Sequence, residues 1–265
     1  MKIGILCRDN DGNLIPFIKK LVSQGEKNIF VIIERKIRIK PNKIKIWKNE
    51  NFDLNFSEKL FAIIYYFLKK VSIKNKIKIK NPKDSFDAKF WCSKNNIRYI
   101  FSLHNSKETE TFIKEEKINH LFLLSGGIIK NNILNIKNLT VYNAHPGRLP
   151  RHRGLGSLEW SIIEDHPLSA TLHTINSEID GGDIIKIIDF YPKKQESIRE
   201  LKGRIINFKP TIFSELVTNI KNNKVAVIKQ NCYEGIIHRK LTRRERKILQ
   251  SKFSILKKNL EKSNA

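Results

Sequence analysis

The chain has 265 residues, 40% of them hydrophobic, and a formal net charge of +25, which indicates one good-sized core and either a polyanion partner or a lysine-rich soluble surface. The lysines are spread along the chain, which favours the soluble surface. The cysteines form no Cys-x-x-Cys pair, the opening apolar run is too short for a signal peptide, and the longest apolar run is about half a membrane span. These features argue against a disulfide framework, a cysteine zinc site and a membrane span, and predict a cytoplasmic protein.

Short apolar runs alternate with helical segments over the first 145 residues. The predicted strands are 2–7, 28–34, 97–103, 120–125 and 139–145, and the predicted helices are 14–23, 57–70, 107–118 and 129–136. Continuous apolar strands alternating with helices predict an α/β fold whose mostly parallel sheet has helices on both faces. Two stretches that alternate basic and apolar residues, 35–48 and 74–80, are predicted to be exposed edge strands.

The pattern changes after residue 145. A helix is predicted over 156–165, and two strands, 169–177 and 183–191, are separated by a hairpin-like loop. A long helix over 196–222 is predicted to be interrupted near Pro210. Residues 223–265 are predicted to form a short, basic, mainly helical extension. The sequence therefore predicts a catalytic domain over 1–222 and a C-terminal extension over 223–265.

The segment that follows the strand 139–145 reads NAHPGRLPRHRG, and it begins at the carboxyl end of a strand, where ligands of open α/β sheets bind. Residues i and i+2 of a strand point the same way, so Asn143 and His145 present an amide donor and a titratable imidazole to one spot. Asp180, in the loop EIDGGDII, is the best candidate for a carboxylate partner, although an aspartate beside two glycines is often only a turn residue.

These motifs, N-A-H-P-G-x-L-P-x-x-R-G, T-L-H-T-I and E-I-D-G-G-D-I-I at this spacing, resemble the folate-dependent formyltransferases. The family includes glycinamide ribonucleotide transformylase, methionyl-tRNA formyltransferase, amino-sugar N-formyltransferases and formyltetrahydrofolate hydrolase. The resemblance is specific over about 119–192. It implies a Rossmann-like formyltransferase fold, 10-formyltetrahydrofolate as the formyl donor, and a reaction that needs no metal. The spacing of the seven histidines shows no metal-ligand pattern either.

The resemblance also implies roles for particular residues. The family's catalytic Asn, His and Asp match Asn143, His145 and Asp180 without substitution. In the implied mechanism, Asn143 and protonated His145 stabilise the negative charge on the formyl oxygen, while Asp180 keeps His145 charged and helps to remove the proton of the amine. The folate-binding positions that the resemblance implies are Gly126, Gly127, Ile128, Ile129 and Ile179.

The acceptor amine is less well defined by the sequence. Gly12 and Asn13 match, in part, a phosphate-binding loop of the purine-pathway transformylases, but Asp9 and Asp11 beside them would repel a phosphate. Arg153 is a candidate for binding an anionic acceptor or the folate tail, and His173 either lines the pocket or belongs to the core. The motif GLGSLEWSIIED resembles amino-sugar formyltransferases, and we therefore expect a small amine acceptor, an amino sugar or its nucleotide conjugate.

Four alternatives remain open at this stage. Glycinamide ribonucleotide is one acceptor, and methionyl-tRNA is another, although the residues after 222 are too few for the tRNA-binding β-barrel expected from the resemblance. A hydrolase would use the same three residues, but we expect a regulatory domain ahead of the first strand in such an enzyme. A non-catalytic RNA-binding protein would fit the net charge, but it is expected to have lost one of the three residues.

Overall fold

The computed structural model describes residues 1–9, 11–34 and 88–263, with side chains up to residue 259. The described residues belong to one compact unit. The predicted helix over 57–70 and the predicted edge strands over 35–48 and 74–80 lie outside the described residues.

A seven-stranded sheet forms the centre of this unit, with strand order β3-β2-β1-β4-β5-β7-β8. Its strands are β1 (Ile3–Arg8), β2 (Ile29–Glu34), β3 (Arg98–Phe101), β4 (His120–Leu123), β5 (Thr140–His145), β7 (Ser169–Thr174) and β8 (Ile184–Asp189). The first five strands pair in parallel, while β7 is antiparallel to both β5 and β8. The mostly parallel sheet is confirmed. The antiparallel pairing of β7 with β8 follows from the hairpin-like loop, because a short loop joins only antiparallel strands, whereas the antiparallel pairing of β5 with β7 does not.

Helices cover both faces of the sheet. The described helices are α1 (Leu14–Ser23), α2 (Ala88–Lys94), α3 (Lys107–Glu115), α4 (Asn131–Leu134), α5 (Ser157–Ile163), α6 (Ile198–Asn207), α7 (Lys209–Lys221) and α8 (Arg243–Ser263). Alternation along β1 separates two cores: Ile5 packs in the same cluster as Phe17 of α1 and Phe213 of α7, whereas Leu6 packs with Phe112 of α3. The strands are therefore apolar throughout because both of their faces are buried.

The predicted interruption of the long helix lies at Phe208, between α6 and α7. Pro210 occupies the first turn of α7, where the missing N–H of proline costs no helical hydrogen bond. The N-terminus of α6 is fixed by a capping box, in which Ser197 accepts from the backbone of Glu200 and the Glu200 side chain accepts from the backbone of Ser197. The break sets the first residue of α7, Lys209, beside the carboxyl ends of β4 and β5.

The C-terminal residues pack onto the rest of the described chain. Residues His152–Gly154 form a short strand, β6, which pairs in parallel with β9 (Ile236–His238). Leu249 and Phe253 of α8 belong to the same buried cluster as Leu158 and Ile162 of α5. The helical character of the extension is confirmed, and the domain boundary at residue 222 stays a prediction. None of the described helices has both the length and the hydrophobicity that are needed to cross a bilayer.

Candidate active site

Asn143 and His145 are among the last three residues of β5, and because they are two residues apart their side chains lie on the same face of the strand. The neighbouring strand β7 brings His173 into register with Asn143. The rings of His145 and His173 lie 6.3 Å apart in an edge-to-face arrangement, and both side chains are almost completely buried. The carboxyl end of β5 therefore brings a half-buried amide next to two buried imidazoles, for which electrostatic interactions are stronger than in water.

The structure brings Asp180 to this end of β5, with its Oδ2 3.3 Å from Nδ1 of His145. The same carboxylate oxygen accepts a 2.9 Å hydrogen bond from the backbone N–H of Gly154. Asp180 has a left-handed backbone, with φ of +48°, a conformation that aspartate tolerates better than most residues. The turn thus aims the carboxylate at His145, and we call Asn143, His145 and Asp180 the candidate triad.

Lys209, which the sequence interpretation did not include, fixes the amide of Asn143. Lys209 is half-buried, and its Nζ donates to Oδ1 of Asn143 at 3.3 Å and to the carbonyl oxygen of Leu124 at 3.0 Å. Because an ammonium only donates, the oxygen of the Asn143 amide must face Lys209, and Nδ2 is left to donate elsewhere. Burial lowers the pKa of Lys209 to about 8, with the carboxylates of Asp11 and Asp180 opposing the shift. Lys209 is therefore mainly charged at neutral pH.

The same reasoning fixes the tautomer of His173. Nδ2 of Asn143 lies 3.3 Å from Nε2 of His173, which must accept, so the ring proton is on Nδ1 and is donated to the carbonyl of Thr174 at 2.6 Å. Burial, together with the charge that His145 can carry, lowers the pKa of His173 to about 4. His173 is therefore a neutral acceptor that completes the positioning of Asn143, and it belongs to the centre of the site.

His145 is held by two partners. Its Nε2 donates to the carbonyl of His152 at 2.8 Å, since a carbonyl can only accept, and its Nδ1 faces Asp180. Burial lowers the pKa of His145 below its ordinary value, and the Asp180 carboxylate opposes this effect. Burial thus opposes the protonation of His145 while Asp180 favours it, and the protonated His145 that the resemblance implied stays a prediction.

The predicted folate-binding positions fall into two groups. Gly126 packs tightly, because an added Cβ would lie 2.4 Å from the ring of His104, whereas Gly127 has open space around it. Ile128 is 69% exposed and Ile179 is 40% exposed, while Ile129 is buried in the core. The carbonyl of Ile128 is held by the side-chain amide of Asn105 at 2.8 Å. Exposed isoleucines on anchored loops suit contact with a flat apolar ligand. Ile129 packs into the core and so fixes the loop that carries Ile128.

The predicted acceptor-binding positions are also distinguished by their contacts. Gly12 is exposed, whereas Asn13 is 6% exposed and its amide already donates to the carbonyl of Ile206 at 3.4 Å. Arg153 is 4% exposed and donates to the carbonyl oxygens of Ile179 at 2.7 Å and Cys232 at 3.1 Å. Arg153 therefore fastens the loop that carries Asp180 to the C-terminal extension, and its binding of an acceptor stays a prediction.

The sequence and the α/β fold of this chain are similar to those of known formyltransferases. No family model matches the sequence. The methionyl-tRNA formyltransferase of Rickettsia canadensis is 32% identical over 149 residues, which are 56% of this chain and 48% of the relative. The chain spans about half the length of the curated relatives it matches.

Two solved structures have the same fold. The N-formyltransferase of Helicobacter canadensis, in complex with folinic acid and dTDP-3-aminofucose, has a TM-score of 0.57 at 18% identity, over 92% of this chain and 72% of that chain. The phosphoribosylglycinamide formyltransferase of Anaplasma phagocytophilum has a TM-score of 0.57 at 15% identity, over 91% and 99%. These structures confirm the Rossmann-like fold that the formyltransferases share, and the Rickettsia canadensis relative confirms the resemblance in sequence.

Proposed function

We propose that this chain transfers a formyl group from 10-formyltetrahydrofolate to the uncharged primary amine of a small acceptor. The observation that carries the proposal is the candidate triad at the carboxyl end of β5, where Asp180 lies 3.3 Å from His145 and the amide of Asn143 is oriented by Lys209. An amide donor can stabilise the oxyanion that forms in acyl transfer to an amine, and an imidazole paired with a carboxylate can accept the proton of the amine.

Each residue of the candidate triad has a role in the proposed reaction. As the amine nitrogen bonds to the formyl carbon, negative charge develops on the formyl oxygen, and Nδ2 of Asn143 donates a hydrogen bond to it. The His145–Asp180 pair takes the proton that the amine loses, and the resulting imidazolium stabilises the same charge. That proton then goes to the nitrogen from which the formyl group departs. The Asp180 side chain is 18% exposed, so an acceptor or a bridging water can reach it.

The formyl donor supplies the carbonyl carbon that the amine attacks. Ile128 and Ile179 offer exposed apolar side chains for its ring system, and Gly127 leaves room for a close approach to the backbone. Ile129 and Gly126 hold the loop in place. These contacts concern binding and orientation only, and the proton steps stay with His145 and Asp180.

For the acceptor we favour an amino sugar or its nucleotide conjugate. The match to the structure of a formyltransferase that holds dTDP-3-aminofucose supports this choice. Methionyl-tRNA is the second candidate, because the sequence relatives are methionyl-tRNA formyltransferases and the net charge of +25 suits a polyanion. Glycinamide ribonucleotide is less well supported, since Asn13 already donates to Ile206 and Asp11 lies beside it.

The test is donor turnover, followed by absorbance, with the purified chain, 10-formyltetrahydrofolate and one amine at a time. The amines are nucleotide-linked amino sugars, glycinamide ribonucleotide and methionyl-tRNA, and Asp180→Asn is the matched control. Turnover that requires one amine and is lost in the control supports the proposal and names the acceptor. Turnover without any amine would make the chain a hydrolase, and failure to bind or consume the donor would overturn the proposal.

A further inference from the structure

Three histidines and a glutamate form a second group of polar side chains, which we call the histidine cluster. His152 lies on β6, His238 lies on β9, and Glu164 and His166 lie on the turn that follows α5. His152 is completely buried and His238 is 8% exposed. One ligand atom from each of His152, His238 and Glu164 lies within 4.8 Å of the other two. The chain thus brings together three metal-ligating groups from distant segments.

The distances suit a small cation. Nδ1 of His152 lies 3.0 Å from Nε2 of His238 and 4.0 Å from Oε2 of Glu164. Ligand atoms about 2.0–2.1 Å from a tetrahedral zinc ion are about 3.3 Å apart, between these two distances. At 3.0 Å, an N–H of one imidazole donates a hydrogen bond to the ring nitrogen of the other. A cation can take the place of that proton with small movements of the side chains.

The second ring nitrogen of His152 has a partner of its own. Nε2 of His152 lies 3.0 Å from Nδ1 of His166, which also lies 3.4 Å from Oε2 of Glu164. In the tautomer in which His152 donates its Nε2–H to His166, the lone pair of Nδ1 of His152 is directed at His238 and Glu164. Histidines that bind metals usually donate their other ring N–H in this way, which fixes the tautomer and raises the basicity of the ligand. The ring of Trp160 stacks on His238 at 5.0 Å and forms an apolar wall on that side.

We propose that His152, His238 and Glu164 bind one divalent transition-metal ion of the Zn²⁺ class, with His166 orienting His152. Two imidazoles and one carboxylate favour Zn²⁺, Co²⁺ or Ni²⁺ over Mg²⁺ or Ca²⁺, which prefer oxygen ligands alone. The Glu164 side chain is 30% exposed, which provides a route from solvent and space for a water as the fourth ligand. This site departs from the expectation of a protein without a metal, and it takes no part in the proposed formyl transfer.

The position of the histidine cluster gives the metal a structural role. The carbonyl oxygen of His152 accepts the hydrogen bond from Nε2 of His145, and β6 is held by its pairing with β9. A metal that joins the His152 and His238 side chains would fasten the same two strands together. Because the ion binds the folded chain and not the unfolded one, its binding raises thermal stability.

The experiment uses the full chain after treatment with a chelator. Titration with Zn²⁺ is expected to show one equivalent bound and a higher melting temperature, and Co²⁺ is expected to give the visible absorption bands of a four-coordinate site. Glu164→Gln is expected to weaken Zn²⁺ binding by more than about tenfold, and His166→Ala by about ten- to 100-fold. His120→Gln is the matched control, because His120 is a half-buried histidine whose ring nitrogen bonds to Tyr142 at 3.1 Å, outside the histidine cluster.

Two results would overturn the proposal. The first is the absence of Zn²⁺ or Co²⁺ binding at millimolar metal by protein that circular dichroism shows to be folded. The second is binding that Glu164→Gln and His238→Gln retain at full strength, which would assign the ion to other surface groups. Since the Glu164 side chain is partly exposed, its isosteric replacement leaves the packing intact, and a loss of binding in that variant is not a loss of folding.

Discussion

The candidate triad and the histidine cluster are connected through His152, whose carbonyl oxygen accepts from His145 and whose ring belongs to the cluster. The chain nevertheless assembles the two groups in different ways. Asn143 and His145 are neighbours on one strand, and their common direction follows from the alternation of a β-strand. His152 and His238 are 86 residues apart and meet only because β6 pairs with β9. The comparison shows that polar groups which share an element can be recognised from the sequence, whereas groups that meet through tertiary pairing need a further signal, such as the family resemblance that identified Asp180.

The largest effect is expected from the candidate triad. Asn143→Ala and His145→Ala are expected to lower kcat/KM by about 10²- to 10⁴-fold, because they remove the hydrogen-bond donor and the proton acceptor of the transition state. Asp180→Asn is preferred to Asp180→Ala, since asparagine tolerates the left-handed backbone at φ of +48° and the variant removes only the charge. Steady-state kinetics with the amine identified by the donor-turnover test measures these losses.

The control for the triad variants is His120→Gln, which is expected to retain wild-type kinetics. All variants should also keep the wild-type circular dichroism spectrum and, if the histidine cluster binds metal, the same Zn²⁺ affinity. Near wild-type turnover in all three triad variants would contradict the assignment of the site. A parallel loss of Zn²⁺ binding would show that the histidine cluster depends on the candidate triad, and the two could then no longer be treated as separate sites.

The sequence predicted much of the fold because the strands are apolar on both faces and are separated by helical segments. The strands β1 to β5 lie where alternation of strands and helices placed them, and the break before Pro210 follows from the chemistry of proline. The antiparallel edge was less evident, because the direction of β7 depends on where it pairs after α5. The motif that contains Asn143 and His145 was recognisable because strand geometry alone aligns its side chains.

The part of the site that the sequence did not predict depends on contacts between distant residues. Lys209 follows Asn143 by 66 residues, and its Nζ reaches the site only because α6 ends at Asn207 and α7 begins beside the sheet. The chain contains many lysines, so nothing in the sequence distinguished this one except its position before Pro210, at a helix break. The contacts of Arg153 were also not evident, because its Nε and Nη1 donate to backbone carbonyls that only the folded loop supplies, while Nη2 faces Glu178 at 3.5 Å.

An intermediate effect is expected from Lys209→Met, which keeps the bulk of the side chain and removes the ammonium that orients Asn143. A hydrogen bond from a charged donor contributes about 1.5–3 kcal/mol, so kcat/KM is expected to fall about ten- to 100-fold. The lysine also predicts a pH dependence. Its pKa is lowered to about 8 by burial, so wild-type kcat/KM should decline as the pH rises through about 8, when the ammonium loses its proton.

The charged groups that act on Lys209 are the carboxylates of Asp11 and Asp180, which favour its ammonium form. The alkaline decline should therefore be absent from Lys209→Met, whose activity is low at every pH. A merely structural lysine would lower activity without changing the shape of the pH profile. If the variant and the wild type decline together above pH 8, another group is responsible, and Lys209 has no part in positioning Asn143.

The smallest effect is expected from the titration of His173 and is a change in stability. In the folded chain, burial lowers the pKa of His173 from its ordinary 6.5 to about 4, so between these values the unfolded chain binds a proton that the folded chain does not. Stability should therefore fall as the pH is lowered through this window, by about 1 kcal/mol between pH 7 and 5.5. Asp180, His145 and Lys209 face the ring, and the Asp180 carboxylate moderates the effect.

Urea unfolding of metal-free wild type and His173→Asn at several pH values measures this contribution. Asparagine keeps a donor for the carbonyl of Thr174 and does not titrate, so the variant should be less stable at pH 7 but lose less stability on acidification. The difference between the two curves reports the titration of His173 together with its interaction with His145, whereas the histidine cluster is common to both proteins. Parallel curves would mean that His173 takes up its proton at the same pH in the folded and the unfolded chain, which would contradict a ring that burial keeps neutral.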